Sequence, residues 1–297
     1  MTSTRSSAES GGATTTWREV LRRASTDLGS YQEARWMVER ASGWDGFELL
    51  SRLDDLVPAR SEGHVQAMVG RRTNGEPLQY VLGRWQFRSL DLLVDRRVLI
   101  PRPETEMVAE AALAELARVG RAPLIVDLGT GSGAIGLSLA SEVPEARVWA
   151  TDVSTAALAV ARANLTGLGT RTATRVRLAG GDWWKALPDE LRGTVDLVVA
   201  NPPYVAADEA LPPEVTDWEP ESALRAGSAG LEALQVVVGQ ARQWLRRPGV
   251  LVAEVAPHQA PAVVALAVHA GFAEVEMKPD LTGQPRALVA RSLAQEA

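Results

Sequence analysis

From Pro101 onward the chain repeats one local pattern, a short run rich in Val, Ile and Leu followed by a stretch with apolar residues three and four apart. LIVDLG precedes AIGLSLASEV, RVWATD precedes TAALAVARANL, and VRLAGGD and VDLVVAN precede LEALQVVVGQARQWL. GVLVAEV, a helical stretch from His258, AEVEMK and RALVARS complete the series. Strands without a polar face must be covered on both sides, and a parallel neighbour is reached only through a crossover, usually a helix. The pattern therefore predicts a doubly wound α/β domain with a mostly parallel sheet over 101–297. Ligands of such sheets sit at the carboxyl ends of the strands, where the strand order reverses.

The preceding part has a different rhythm. WREVLRRASTDL, QEARWMVERAS, GFELLSRLDDL and HVQAMVGRRT have helical spacing and predict a small bundle over 17–80. It offers no nucleophile, base or phosphate loop, so it reads as an accessory module that holds a partner. RWQFRSL and RRVLI, two strand-like runs in 81–100, predict a hairpin linker at the domain boundary. Residues 1–16 are polar and rich in Gly, Ser and Thr, which predicts a disordered tail. That segment resembles neither a signal peptide nor a membrane span, and the expectation is a cytoplasmic protein. With 297 residues the chain can bury two cores. A net charge of −6 disfavours binding dominated by nucleic-acid phosphates. The absence of cysteine excludes disulfides, thiolate metal sites and a cysteine nucleophile. His64, His258 and His269 lack any paired ligand spacing, so no metal site is expected.

Three strand ends carry further motifs. The first runs into Gly129-Thr130-Gly131-Ser132-Gly133, where glycine lets the main chain turn tightly and admit a ligand closely. Gly131 to Gly136 also fits G-x-G-x-x-G, with Asp152 at the end of the next strand, so a nicotinamide-dependent oxidoreductase stays open on spacing alone. A carboxylate at Asp152 suits ribose hydroxyls in either case. Gly181-Asp182-Trp183 suits adenine, with an acceptor for its amine and an indole for its face, while Trp184 reads equally as packing. The third motif is Asn201-Pro202-Pro203-Tyr204. The nitrogen of an amide or exocyclic amine is a poor nucleophile, because its lone pair is delocalised, and its N–H groups must be held. The Asn201 side-chain carbonyl and the Pro202 main-chain carbonyl can accept the two N–H bonds, the prolines stiffen the loop, and Tyr204 gives a flat wall.

The stretch D-L-G-T-G-S-G from Asp127 resembles the first motif of S-adenosyl-L-methionine (SAM) dependent methyltransferases. Asn-Pro-Pro-Tyr resembles the signature of methyltransferases acting on planar nitrogen. Arg71 to Gly83, Pro101-Arg102-Pro103-Glu104-Thr105-Glu106, Trp218-Glu219-Pro220 and Asp280 to Arg286 further resemble the PrmC/HemK family, the release-factor glutamine-N5 methyltransferases. Glu104 stands where that family often has aspartate, and Trp218 where phenylalanine is frequent.

The resemblance runs from Arg71 to Ala297. It implies a class I SAM-dependent methyltransferase, Rossmann-like with a mostly parallel seven-stranded sheet, plus an N-terminal helical bundle joined by a β-hairpin linker. SAM is the implied cofactor and S-adenosyl-L-homocysteine its product. The implied substrate is the Gly-Gly-Gln glutamine of class I peptide chain release factors, docked by the helical domain, with no membrane and no direct nucleic-acid substrate. Gly129 to Gly133, Asp152, Asp182, Trp183 and Asn201 are the expected cofactor residues. Asn201, Pro202, Pro203 and Tyr204 are expected to bind substrate, and Asn201, Pro202 and Tyr204 to serve catalysis. The alternatives are a ribosomal-protein glutamine methyltransferase and a nucleic-acid amino-methyltransferase with the same motif. Arg102, Glu104 and Glu106 either cap the next helix or line the methionine end, and Glu254 either faces the pocket or ends its strand.

Overall fold

The computed structural model describes residues 15–119 and 122–293. Contacts divide the chain into two units between Leu82 and Gly83. Residues 1–14 of the expected tail lie outside the described residues, but Thr15 and Thr16 belong to the helical unit. The Thr15 carbonyl accepts from Val57 N at 2.9 Å, and Thr16 bridges Leu56. Thr16 also caps the first helix, its Oγ1 accepting from Glu19 N.

That unit contains α1 (Trp17–Leu28), α2 (Tyr31–Ser42), α3 (Gly46–Ser51), α4 (Ala59–Thr73) and α5 (Leu78–Leu82). Ser30 caps α2 as Thr16 caps α1, and Gly29 and Gly43 end the two helices in left-handed conformation. Their apolar faces meet around Trp17, Met37, Leu49 and Met68, all almost fully buried. GFELLSRLDDL forms only the six-residue α3; beyond it Leu53 and Val57 reach the core from irregular chain.

The second unit opens with a hairpin, β1 (Arg84–Phe87) paired with β2 (Leu90–Leu93). RRVLI is not its second strand. The Asp95 carboxylate accepts from Arg97 N at 3.0 Å and the Asp95 carbonyl from Val98 N at 3.0 Å, so the chain turns there. Then follow α6 (Pro103–Leu116), β3 (Leu124–Leu128), α7 (Ala134–Glu142), β4 (Arg147–Asp152), α8 (Thr155–Gly167), α9 (Thr170–Ala173) and β5 (Val176–Gly180). β6 (Val195–Ala200), α10 (Pro213–Thr216), α11 (Glu232–Trp244), β7 (Leu245–Glu254), α12 (Ala260–His269), β8 (Glu274–Pro279) and β9 (Pro285–Ser292) complete it.

One seven-stranded sheet in the order β5-β4-β3-β6-β7-β9-β8 runs through this unit. The first five strands in that order are parallel; at the far edge β9 pairs antiparallel with β7 and β8 antiparallel with β9, so β9 alone runs against the other six. β3 and β6 are buried at every position, as strands covered on both faces must be. From β3 the chain moves outward to β4 and β5, then returns to β6 on the other side. That reversal opens a crevice above the carboxyl ends of β3 and β6, where the glycine loop and Asn201 emerge.

Candidate active site

The loop from β3 to α7 turns through Gly129, Gly131 and Gly133 at φ of 73°, 57° and 89°. Asp127 is buried beneath it, and its Oδ2 accepts from Thr130 Oγ1 at 2.6 Å and from Gly136 N at 2.9 Å. Burial pushes this carboxyl up to about 6, against the pull of those two donors. A Cβ on Gly136 would lie 2.7 Å from Asp127 Oδ2, so the last glycine of the G-x-G-x-x-G match makes room for an internal brace. At the end of β4, Asp152 accepts from Gly131 N (2.9 Å) through Oδ2 and from Ser154 N (2.8 Å) through Oδ1. Burial raises its pKa, while each oxygen keeps acceptor capacity for a ligand hydroxyl.

Trp183 holds a left-handed φ of 50°, uncommon for a bulky residue, and its ring would lie 3.5 Å from a Cβ on Gly129. Trp184 packs inward: its ring stacks on Trp244 at 5.7 Å and its Nε1 donates to the Val236 carbonyl at 3.1 Å. Asp182 pairs with Lys185 at 2.8 Å on the exposed rim.

A cavity of about 590 Å³ joins these features. Gly129, Thr130, Gly131, Ser132, Asp152, Asp182, Trp183, Asn201 and Pro203 line it, and Thr105 lines it with them. Gly133, Pro202 and Tyr204 are not part of its wall. Gly133 instead sits at the cap of α7, where a Cβ would lie 2.6 Å from the Leu137 side chain.

Asn201 Nδ2 donates to Thr105 Oγ1 at 3.2 Å, and Thr105 Oγ1 donates to Glu254 Oε2 at 2.6 Å. Glu254, at the end of β7, is 1% exposed, and burial pushes its carboxyl up to about 7. Burial, aided by the nearby Glu254 charge, pushes the Tyr204 phenol up to about 12, so it stays neutral. The Tyr204 carbonyl accepts from Gln259 Nε2 at 2.9 Å. Gly230 lies so close that a Cβ would stand 2.5 Å from that carbonyl. Among the described residues nothing donates to the Pro202 carbonyl, which leaves it open to an incoming N–H.

Local sequence singles out neither Thr105 nor Glu219 as a site residue, and it leaves Glu254 undecided. Buried Glu219 accepts from Ile100 N at 3.1 Å and pairs with Arg102. Trp218 lies under the Arg96 guanidinium at 4.0 Å. Two separate motifs, Pro-Arg-Pro-Glu-Thr-Glu and Trp-Glu-Pro, are thus one tied structure beside the cavity. Arg102 makes no capping bond to α6, and Glu106 accepts from Arg88 N at 2.8 Å, where Arg88 has a φ of 51°. Glu104 is exposed and adds negative charge near Tyr204 and Glu254. Among the described residues no group of three metal-binding side chains occurs, and no helix is long and apolar enough to cross a membrane.

Two family descriptions match the chain: PrmC N-terminal domain over residues 13–83 and Methyltransferase small domain over 108–216. The release factor glutamine methyltransferase of Cereibacter sphaeroides is 40% identical over 262 residues, 88% of this chain and 90% of that one. Its counterpart from Burkholderia pseudomallei is 40% identical over 272 residues, 91% of this chain and 93% of its own. Among solved structures, a 16S rRNA N2 methyltransferase of T. thermophilus in complex with AdoMet and guanosine shares the fold, with a TM-score of 0.50 at 20% identity over 70% of this chain and 49% of that one. A methyltransferase domain excludes the oxidoreductase left open by glycine spacing. The chain has the class I SAM-dependent methyltransferase fold and belongs to the release factor glutamine methyltransferase family.

Proposed function

We propose that this chain transfers the methyl group of SAM to the side-chain amide nitrogen, N5, of the glutamine in the Gly-Gly-Gln motif of class I peptide chain release factors. It acts in the cytoplasm and leaves S-adenosyl-L-homocysteine. The reading is carried by Asn201, which is anchored on Thr105 and lines the same cavity as the glycine loop.

The residues present fit the cofactor. A cavity of about 590 Å³ lies within the usual range for small-molecule sites. Gly129 and Gly131 offer main chain to the methionine part, Asp152 has acceptor capacity for the ribose, and Asp182 and Trp183 supply an acceptor and an apolar face for adenine. When bound there, the sulfonium centre supplies an electrophilic methyl group. The protein's own contribution is placement. Asn201 Oδ1 and the Pro202 carbonyl accept the two N–H bonds of the substrate amide, Pro203 stiffens the loop, and the neutral Tyr204 ring flanks the flat group. The helical unit holds the release factor, so the partner is a protein, with neither nucleic acid nor membrane as substrate.

Labelled SAM offered together with release factors, ribosomal proteins and nucleic acids should label the Gly-Gly-Gln glutamine. Asn201→Ala should slow that transfer about 100-fold, with SAM affinity within about twofold of wild type. Label on RNA, DNA or a ribosomal protein instead would overturn the reading.

A further inference from the structure

We propose that Glu254, acting through Thr105, is a positioning residue for methyl transfer: it fixes which end of the Asn201 side-chain amide faces the cavity. The inference rests on the amide-methylation reading above. An Asn amide keeps nearly the same shape when it flips by 180°, yet one end accepts hydrogen bonds and the other donates them. In the wrong orientation Asn201 would present N–H groups to the N–H groups of the substrate.

Thr105 resolves the ambiguity because its hydroxyl has a single proton. That proton goes to Glu254 Oε2 at 2.6 Å, in the range of bonds to a charged acceptor. The Thr105 oxygen can then only accept, and it takes the Asn201 Nδ2–H at 3.2 Å. Asn201 Oδ1 is thereby turned to the other branch of the amide, on a residue that lines the cavity. Thr105 occupies the first turn of α6, but its hydroxyl caps no main-chain N–H there. Glu254 is 1% exposed, and Thr105 is the one side-chain hydrogen-bond partner it has among the described residues. A buried carboxylate with so few partners is unfavourable for folding alone.

The charges facing Glu254 are Arg286 from β9, Arg102 and Glu104 at the start of α6, and the Tyr204 phenol beyond β6. Asp280 shares Arg286 at 3.3 Å and Glu219 holds Arg102, so neither cation is dedicated to Glu254. With the carboxyl pushed up to about 7 by burial, mild acid protonates it. A protonated Glu254 can donate to the Thr105 oxygen. The Thr105 proton is then released toward Asn201 Oδ1, which favours the flipped amide.

The test uses the full chain with SAM and a release factor, comparing Thr105→Val, Thr105→Ser and Glu254→Gln. Thr105→Val should lose about 10-fold or more in kcat with SAM affinity within about twofold, and Thr105→Ser should recover most of the rate. The wild-type rate should fall below about pH 7, and Glu254→Gln should lack that acidic limb. Wild-type turnover by Thr105→Val, no recovery by Thr105→Ser, or an acidic limb retained in Glu254→Gln would each sink the idea. If Thr105→Val does not fold, Glu254→Gln and Thr105→Ser decide alone. A wild-type chain that labels no release factor counts against the proposed substrate. In that case the Asn201 side-chain NH₂ resonances of the SAM-bound chain still decide the inference: they should shift between pH 8 and pH 6 in wild type, and a constant position overturns it.

Discussion

At the scale of single residues, the buried carboxylates divide into braces and guides. Asp127 sits inside the motif that announces cofactor binding, yet both its short bonds are internal, to Thr130 in the loop and Gly136 in the first turn of α7. Glu254 carries a raised pKa at a site where an ion is poorly solvated, which sets a sign for stability. A carboxyl whose pKa rises on folding, here from 4.5 to about 7, contributes stability at low pH that is lost as the pH rises across that interval. Glu254→Gln should therefore raise the unfolding free energy by about 1–3 kcal/mol at pH 8 and by nearly nothing at pH 4, read from urea melts. An equal change at both pH values would show that the carboxylate is not held at a cost. Stability gained at pH 8 with transfer slowed would mark the group as kept for function.

At the scale of elements, the β3-loop-α7 unit shows why glycine spacing is informative and incomplete. The positive φ of Gly129 and Gly131 belongs to the turn itself, whereas Gly136 is needed because Asp127 lies against its Cα. Gly136→Ala should destabilise the chain by about 1–3 kcal/mol and weaken SAM binding, measured by thermal melts with and without SAM. Gly239 in the middle of α11 has nothing within 4 Å of the point where a Cβ would stand, so Gly239→Ala should stabilise by about 0.5–1 kcal/mol, read from the same melts. The hairpin teaches the opposite lesson. RRVLI has strand composition, but Asp95 closes a turn on Arg97 and Val98, and LDLL alternates buried and exposed beside β1 instead. Composition cannot say which of two adjacent apolar runs finds a partner.

At the scale of the whole molecule, each unit has a core of its own. Among the described residues the helical core runs from Trp17 to Leu82, while the sheet core runs from Leu124 to Ala290. A chain beginning at Gly83 should fold and bind SAM with affinity within about threefold of the full chain. Its transfer to a release factor should fall about 10-fold or more in kcat/KM, because the helical unit is the proposed holder of the factor. Loss of SAM binding on that truncation would contradict independent cores, and undiminished transfer would contradict the holding role.

Local sequence was enough to set the layers and the strand-end positions of the glycine loop, Asp152, Asp182 and Asn201. All of these follow from local periodicity, backbone freedom at glycine and rigidity at proline. What each side chain touches emerges only in three dimensions. Thr105 and Glu254 are 149 residues apart, Asn201 and Thr105 are 96 apart, and Arg102 and Glu219 are 117 apart. A hydrogen bond needs its partners within about 3 Å, and such distances are set by which strands become neighbours in the sheet, a property no local stretch of sequence contains.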